Sequence, residues 1–144
     1  HFYDTYECKD GKFIAVACIE DKFYKEMIDK LEIADERFSK QFNKDMWSEL
    51  KDILGEKFLS KNRDEWAIIF KDSDACITPI LDLDEAPKHE HNKSRSTFIE
   101  RDGVIQPNPS PRFSKTPLEV KSSPKKIGED NCFVSEKYNI SLPD

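Results

Sequence analysis

An unbroken apolar run from Phe13 to Ile19 (FIAVACI) follows an Asp10-Gly11 pair and ends abruptly on a carboxylate, Glu20. A run this short, with no polar position, reads as a strand covered on both faces. Ahead of it, Phe2 to Cys8 (FYDTYEC) is rich in aromatics and reads as a second strand. Lys9-Asp10-Gly11-Lys12 between them carries an Asp-Gly turn signal, so the two form a hairpin. From Asp21 the period changes: Phe23, Tyr24, Met27, Ile28 and Leu31 recur at helical spacing. A second helix fits Asn43 to Leu59, with Met46, Trp47, Leu50, Ile53, Leu54 and Phe58 on one face. Asn62 is a good N-cap and Glu65 completes a capping box, opening a helix that turns Trp66, Ile69 and Phe70 inward. Ala75 to Leu81 (ACITPIL) reads as a further strand, which Pro79 places at a sheet edge or a strand end.

After Leu83 the pattern breaks. Thr97 to Glu100 and Val104 to Gln106 flank Arg101-Asp102-Gly103 as a short hairpin, and NPSPRFSKTP and KSSPKK beyond it have no periodicity. Such a tail buries too little apolar surface to order itself, so it is expected either to be disordered or to lie across another domain. Charge and proline divide the chain at nearly the same place. Residues 1–86 carry 13 basic and 21 acidic side chains, whereas residues 87–144 carry 10 and 8. Pro107, Pro109, Pro111, Pro117, Pro124 and Pro143 all fall in the last third. The expected organisation is therefore a compact α/β part with α+β-like character over 1–86, followed by an extended segment over 87–144. There is no internal repeat.

At 144 residues the chain is one ordinary domain or part of a larger one. It opens on His1 rather than Met and is read as a possible fragment. The net charge of -6 argues against a protein that coats nucleic acid. No stretch approaches 18 apolar residues, which excludes a transmembrane helix, and no signal peptide is visible. Cys8, Cys18, Cys76 and Cys132 show no CxxC spacing and read as reduced thiols of an intracellular protein, with Cys18 and Cys76 as small core residues. His89-Glu90-His91 lacks a third ligand at a recognisable spacing, so it reads as a solvated loop rather than a metal site. Lys121, Lys125 and Lys126 form a small basic cluster that reads as solvated surface. P-loop, GxGxxG, GxSxG and HExxH motifs are absent. Glu20 stands out because it closes the apolar strand and precedes a helix. Its carboxylate either favours the helix N-terminus through the dipole or sits in a pocket as a functional group.

The order of segments carries more than any motif. FYDTYECKDGKFIAVACIEDKFY, RDEWAIIFKDSDACITPILDLDEAP, HEHNKSRSTF and DGVIQPNPSPRFSKTP follow one another over residues 2 to 117. Together they resemble the small domain of the alpha-methylacyl-CoA racemases, a branch of the family III CoA-transferase superfamily. Residues 118–144 match poorly: where the family tends to have a Gly-Glu-His-Thr segment and a helix, this chain has Gly128-Glu129-Asp130-Asn131. The resemblance implies a cofactor-independent isomerase that interconverts the R and S forms of 2-methylacyl-CoA thioesters in branched-chain fatty acid and bile acid metabolism. The reaction is a 1,1-proton transfer, which needs two acid/base groups flanking one carbon and stabilisation of the enolate between them.

In the family that pair is a His and an Asp of the large domain, upstream of this chain; His1, His89 and His91 lie in the wrong segments to replace the His. Family subunits interlock as homodimers, with the small domain of one supplying part of the wall of the other's site. The resemblance assigns Tyr3 and Glu20 to that wall as supporting residues. Cys18 stands where Gly is common, at the approach to this wall, and Asp21 where Pro is frequent. It also makes residues 107–117 a strap that docks on the large domain. This chain alone is expected to be inactive. Two other assignments stand beside this one: a fragment of a family III CoA-transferase, and a truncated paralogue serving only for binding or dimerisation. The partners implied are an acyl-CoA thioester and a second subunit, with no nucleic acid or membrane. Family members are peroxisomal or mitochondrial in animals, and Ser141-Leu142-Pro143-Asp144 is not a Ser-Lys-Leu-type peroxisomal signal.

Overall fold

The computed structural model describes residues 1–141; Leu142, Pro143 and Asp144, on which the reading of the chain end rests, lie outside it. Strand β1 (Tyr3–Glu7) pairs antiparallel with β2 (Phe13–Ala17), and β2 pairs antiparallel with β3 (Ile77–Pro79). The sheet order is β1-β2-β3, so β2 is the central strand. The first turn is built on Gly11, whose φ of 72° is left-handed, with Gly11 N–H donating to the Cys8 carbonyl and Cys8 N–H to Lys12. That is the three-residue hairpin loop with glycine at the bulge position. Between β2 and β3 run α1 (Asp21–Lys30), α2 (Trp47–Phe58) and α3 (Arg63–Phe70).

One face of the sheet carries the core. Tyr6 and Cys8 flank β1's inner side, and Ile14, Val16 and Cys18 lie below 3% exposure on the central strand. Met27 and Leu31 meet them from α1, Leu50, Leu54 and Phe58 from α2, and Trp66 and Phe70 from α3. The capping box at Asn62 forms, with Glu65 accepting from the Asn62 N–H at 2.9 Å. Trp66 donates its indole N–H to the Phe58 carbonyl at 2.8 Å, which satisfies the one polar atom of a fully buried ring. Arg63, 4% exposed, joins three elements at the turn end of the sheet. Its backbone N–H donates to Asp10, Nη1 to the Ile80 carbonyl at 2.8 Å and Nε to Asp64.

Several expectations change in three dimensions. The run Phe13 to Ile19 is covered on one face only: Phe13 and Ile19 are 44% and 47% exposed, and Ala15 and Ala17 half-buried. The second helix starts at Trp47 because a 3-10 turn over Lys44–Met46, opened by the Asn43 side chain, precedes it. β3 is only three residues long. Left-handed Cys76 (φ 50°) bends the chain on one side; on the other, Pro79 leaves no N–H on the outer edge of the sheet, while the Ile80 N–H still donates to the Phe13 carbonyl at 3.0 Å. The same bend turns Cys76 out to solvent, so it is not a core residue, while Cys8 is buried.

A second compact unit begins at Leu83. It holds the short helix α4 (Glu90–Ser94), an antiparallel pair of β4 (Phe98–Arg101) and β5 (Val104–Pro107), and α5 (Asn131–Tyr138). Asp102 and Gly103 both have positive φ, as a two-residue type I′ turn requires. His89-Glu90-His91 is the start of α4 rather than a loop. The segment after β5 is irregular, yet it is tied back by Arg101 donating to the Val120 and Lys121 carbonyls, and by Arg112 donating to Arg95. Residues 131–138, where no element was expected, form a helix ended by left-handed Asn139. Every buried residue lies between His1 and Ala75, so among the described residues this second unit has no core of its own.

Ile14→Ala should lower unfolding free energy by about 2–5 kcal/mol in urea titration, since Ile14 is fully buried on the central strand. Ile68→Ala, at a 72% exposed position, should change it by less than about 0.5 kcal/mol. Burial pushes the Cys18 thiol up to about 12 and the Cys8 thiol up to about 11, from an ordinary value of 9.0. Unfolded thiols therefore ionise first as pH rises, and their contribution to stability, whole below about pH 9, is lost above it. The urea midpoint should hold from pH 7 to 8.5 and fall by pH 10. In the native protein, iodoacetamide should label Cys76 and Cys132 and spare Cys8 and Cys18, as read by peptide mass.

Candidate functional site

The open end of the β1–β2 hairpin collects the residues singled out in the sequence. Tyr3 lies opposite Ala17 in the register, and the Cys18 N–H donates to the Phe2 carbonyl at 2.9 Å. Side chains alternate along a strand. Because Phe2 and Tyr6 point into the core, Tyr3 points to the uncovered face, where it is 66% exposed. Ile19 shares that face, and Glu20 follows it at the N-cap of α1. The Glu20 carbonyl accepts the N–H groups of Phe23 and Tyr24 at 3.0 Å and so starts the helix. Its carboxylate makes no capping hydrogen bond and is exposed. Its charge reaches the neighbouring Cys76, whose thiol is held above its ordinary value by burial first and by Glu20 second.

A groove of about 470 Å³ opens beside Tyr3. Phe2, Tyr3, Ile19 and Trp47 line it with apolar surface, and Asp4 and Lys51 form an ion pair in the same lining. The Lys51 ammonium holds the Asp4 carboxyl below the usual carboxylate range, helped by the Thr5 N–H. Both charges are thereby committed to one another, and the groove presents mainly hydrocarbon.

Cys18 is the small core residue that its place in the apolar run suggested. It faces the core, where its Sγ–H donates to the Ala75 carbonyl at 2.6 Å and lies 3.6 Å from Met27 Sδ. Its thiol thus ties the end of the central strand to the backbone at Ala75 and is fully buried. His1 is buried beside Tyr24, with Nε2 3.0 Å from the Tyr24 hydroxyl and its ring edge-on to Phe2 and Phe38. Among the described residues no cluster of three or more His, Cys, Asp and Glu side chains could hold a metal ion. No helix among them is long and apolar enough to cross a membrane.

Sequence reading passed over Gln41. Its amide Nε2 donates to two successive carbonyls, Cys18 at 2.9 Å and Ile19 at 3.0 Å, immediately before Glu20. Trp47 Nε1 in turn donates to the Gln41 carbonyl at 2.9 Å. Gln41 sits in a polar stretch, Ser39-Lys40-Gln41, whose only hint of burial is the flanking pair Phe38 and Phe42.

Comparison with known proteins shows the family and the fold. The chain is 36% identical to the alpha-methylacyl-CoA racemase of Mus musculus over 143 residues, which is 97% of this chain and 37% of that protein. It is 37% identical to the Homo sapiens alpha-methylacyl-CoA racemase over the same share of each. The chain thus spans little more than a third of the length of these relatives. The crystal structure of Rv3272 from M. tuberculosis superposes on 90% of this chain and 37% of its own, with a TM-score of 0.67 at 16% identity, and shows the same fold. The sequence model of CoA-transferase family III covers residues 1–131. The chain belongs to CoA-transferase family III.

Proposed function

We propose that this chain is the small domain and returning C-terminal segment, 1–86 and 87–144, of an alpha-methylacyl-CoA racemase. The observation that carries the reading is the open end of the hairpin: an uncovered apolar sheet face that stops at an exposed, uncapped carboxylate. It occurs in a chain more than a third identical to two proteins named as such racemases. A face that is apolar at Phe13, Ala15, Ala17 and Ile19 suits contact with other apolar groups better than contact with water. In a family homodimer it would form part of the wall between this domain and the large domain of the partner subunit.

In the reaction, one base removes the proton on C2 of a 2-methylacyl-CoA thioester. The C–H electron pair moves into the thioester as an enolate, and an acid on the opposite face returns a proton. That pair of groups lies in the large domain. Glu20 supports it, by hydrogen-bonding one of its members or by setting its protonation through charge. Tyr3 closes the wall beside it, and the apolar groove next to Tyr3 suits the alkyl part of a branched acyl group.

This chain alone should not incorporate deuterium at C2 of 2-methylacyl-CoA in deuterated water; incorporation that follows the purified chain would place a base within it. In the complete family protein, Glu20→Gln should lower kcat by roughly ten- to a hundred-fold with little change in KM, because the carboxylate acts near the reacting carbon and not on the CoA handle. A carboxylate that only favours its helix would shift melting and leave turnover alone, so kcat within twofold of wild type would remove Glu20 from the site.

A further inference from the structure

We infer that Gln41 is a positioning residue for Glu20, an assignment that rests on the reading of Glu20 as a support to the reacting centre. The ladder of β2 ends at Ala17, and Glu20 stands beyond it with φ -75° and ψ 140°. An exposed carboxylate on a loose strand end samples many directions. Here three consecutive carbonyls ahead of α1 are held. That of Glu20 takes the helix's first N–H groups, and those of Cys18 and Ile19 take the two protons of one Gln41 amide. Gln41 is 6% exposed, so its donors face little competition from water. The residue is also held from behind by the Trp47 indole, and Trp47 in turn packs edge-on against Phe2 at 5.6 Å between ring centres. The path from α2 through Trp47 and Gln41 to the peptide before Glu20 is thus made of hydrogen bonds between buried or half-buried groups.

Chemistry singles out glutamine for this task. Glutamate presents no donors when ionised, methionine has the length and shape without the protons, and asparagine is one methylene short of the two carbonyls. A residue present only for packing would be replaced by methionine at little cost.

The test compares Gln41→Met, Trp47→Phe and Glu20→Gln. In this chain, Gln41→Met should speed amide exchange of Phe23 and Tyr24, which bond to the Glu20 carbonyl, by about tenfold or more, while Ile14 and Val16 on the central strand stay as slow as before. In the complete family protein, kcat for C2 proton exchange should fall on the order of tenfold with KM within twofold, in keeping with a supporting contact behind a site residue. Trp47→Phe, which removes the donor to the Gln41 carbonyl along with part of the ring surface against Phe2 and the groove, should shift amide exchange of Phe23 and Tyr24 and kcat the same way by a smaller factor, and its amide-exchange readout serves if Gln41→Met fails to fold. The double variant Gln41→Met with Glu20→Gln should be no slower than Glu20→Gln alone. If Glu20→Gln itself leaves kcat unchanged, the reading of Glu20 falls and this assignment with it. If Glu20→Gln slows the enzyme while neither Gln41→Met nor Trp47→Phe does, or if the effects multiply, Gln41 is a packing residue and the inference is wrong.

Discussion

The one-sided burial of β2 is the interaction on which the rest of the first unit depends. Ile14, Val16 and, just past the strand, Cys18 belong to the core that residues of all three helices join, and the same strand hydrogen-bonds to a neighbour on each edge. Full burial of one large aliphatic side chain is worth about 1.5–3 kcal/mol, so the inner row alone outweighs any surface ion pair in the chain. The alternation that buries this row necessarily sends Phe13, Ala15, Ala17 and Ile19 the other way. No slip of register could hide both rows behind one layer of helices. The apolar outer face is therefore a consequence of the strand's alternation, and it leads directly to Glu20.

Two buried polar side chains fix the ends of that strand. At the turn end, Arg63 links the Asp10 turn, α3 and the carbonyl after β3. At the open end, Gln41 takes the two carbonyls that the ladder leaves without a strand partner. Each is a case in which burying a polar group is tolerated because its hydrogen bonds are made, and removing it would orphan carbonyls in a region water reaches poorly. The thiol of Cys18, donating to the Ala75 carbonyl, does the same for the loop that carries Cys76. Polar groups thus set direction where hydrophobic packing, which has none, cannot.

The second unit is organised differently. It has a type I′ hairpin and two helices, and arginines bind its irregular segment to itself, yet several of its large apolar side chains are exposed. Leu83 is 93% exposed, Phe133 59% and Tyr138 61%. Ordering a residue costs about 1–2 kcal/mol of backbone entropy, and local hydrogen bonds return little of that in water.

The amino-acid sequence by itself determined the elements whose causes are local. Examples are the hairpin at Asp10-Gly11, the capping box at Asn62, the helical stripes of α1 and α2, the Asp102-Gly103 turn and the family to which the chain belongs. It also pointed to Glu20, because a carboxylate that terminates an apolar strand is conspicuous in one dimension. What it could not carry was anything set by non-local contact. An apolar run does not reveal whether one face or two will be covered, because that depends on how many layers arrive from elsewhere. Cys76 sits in an apolar run yet lies outside the core, since a left-handed backbone at a single residue redirects it. Gln41 was invisible because its two partners are more than twenty positions away, and nothing in a polar tripeptide announces which carbonyls its amide will meet. Local propensity is written residue by residue, whereas the destination of a buried hydrogen bond is decided only when the chain closes on itself.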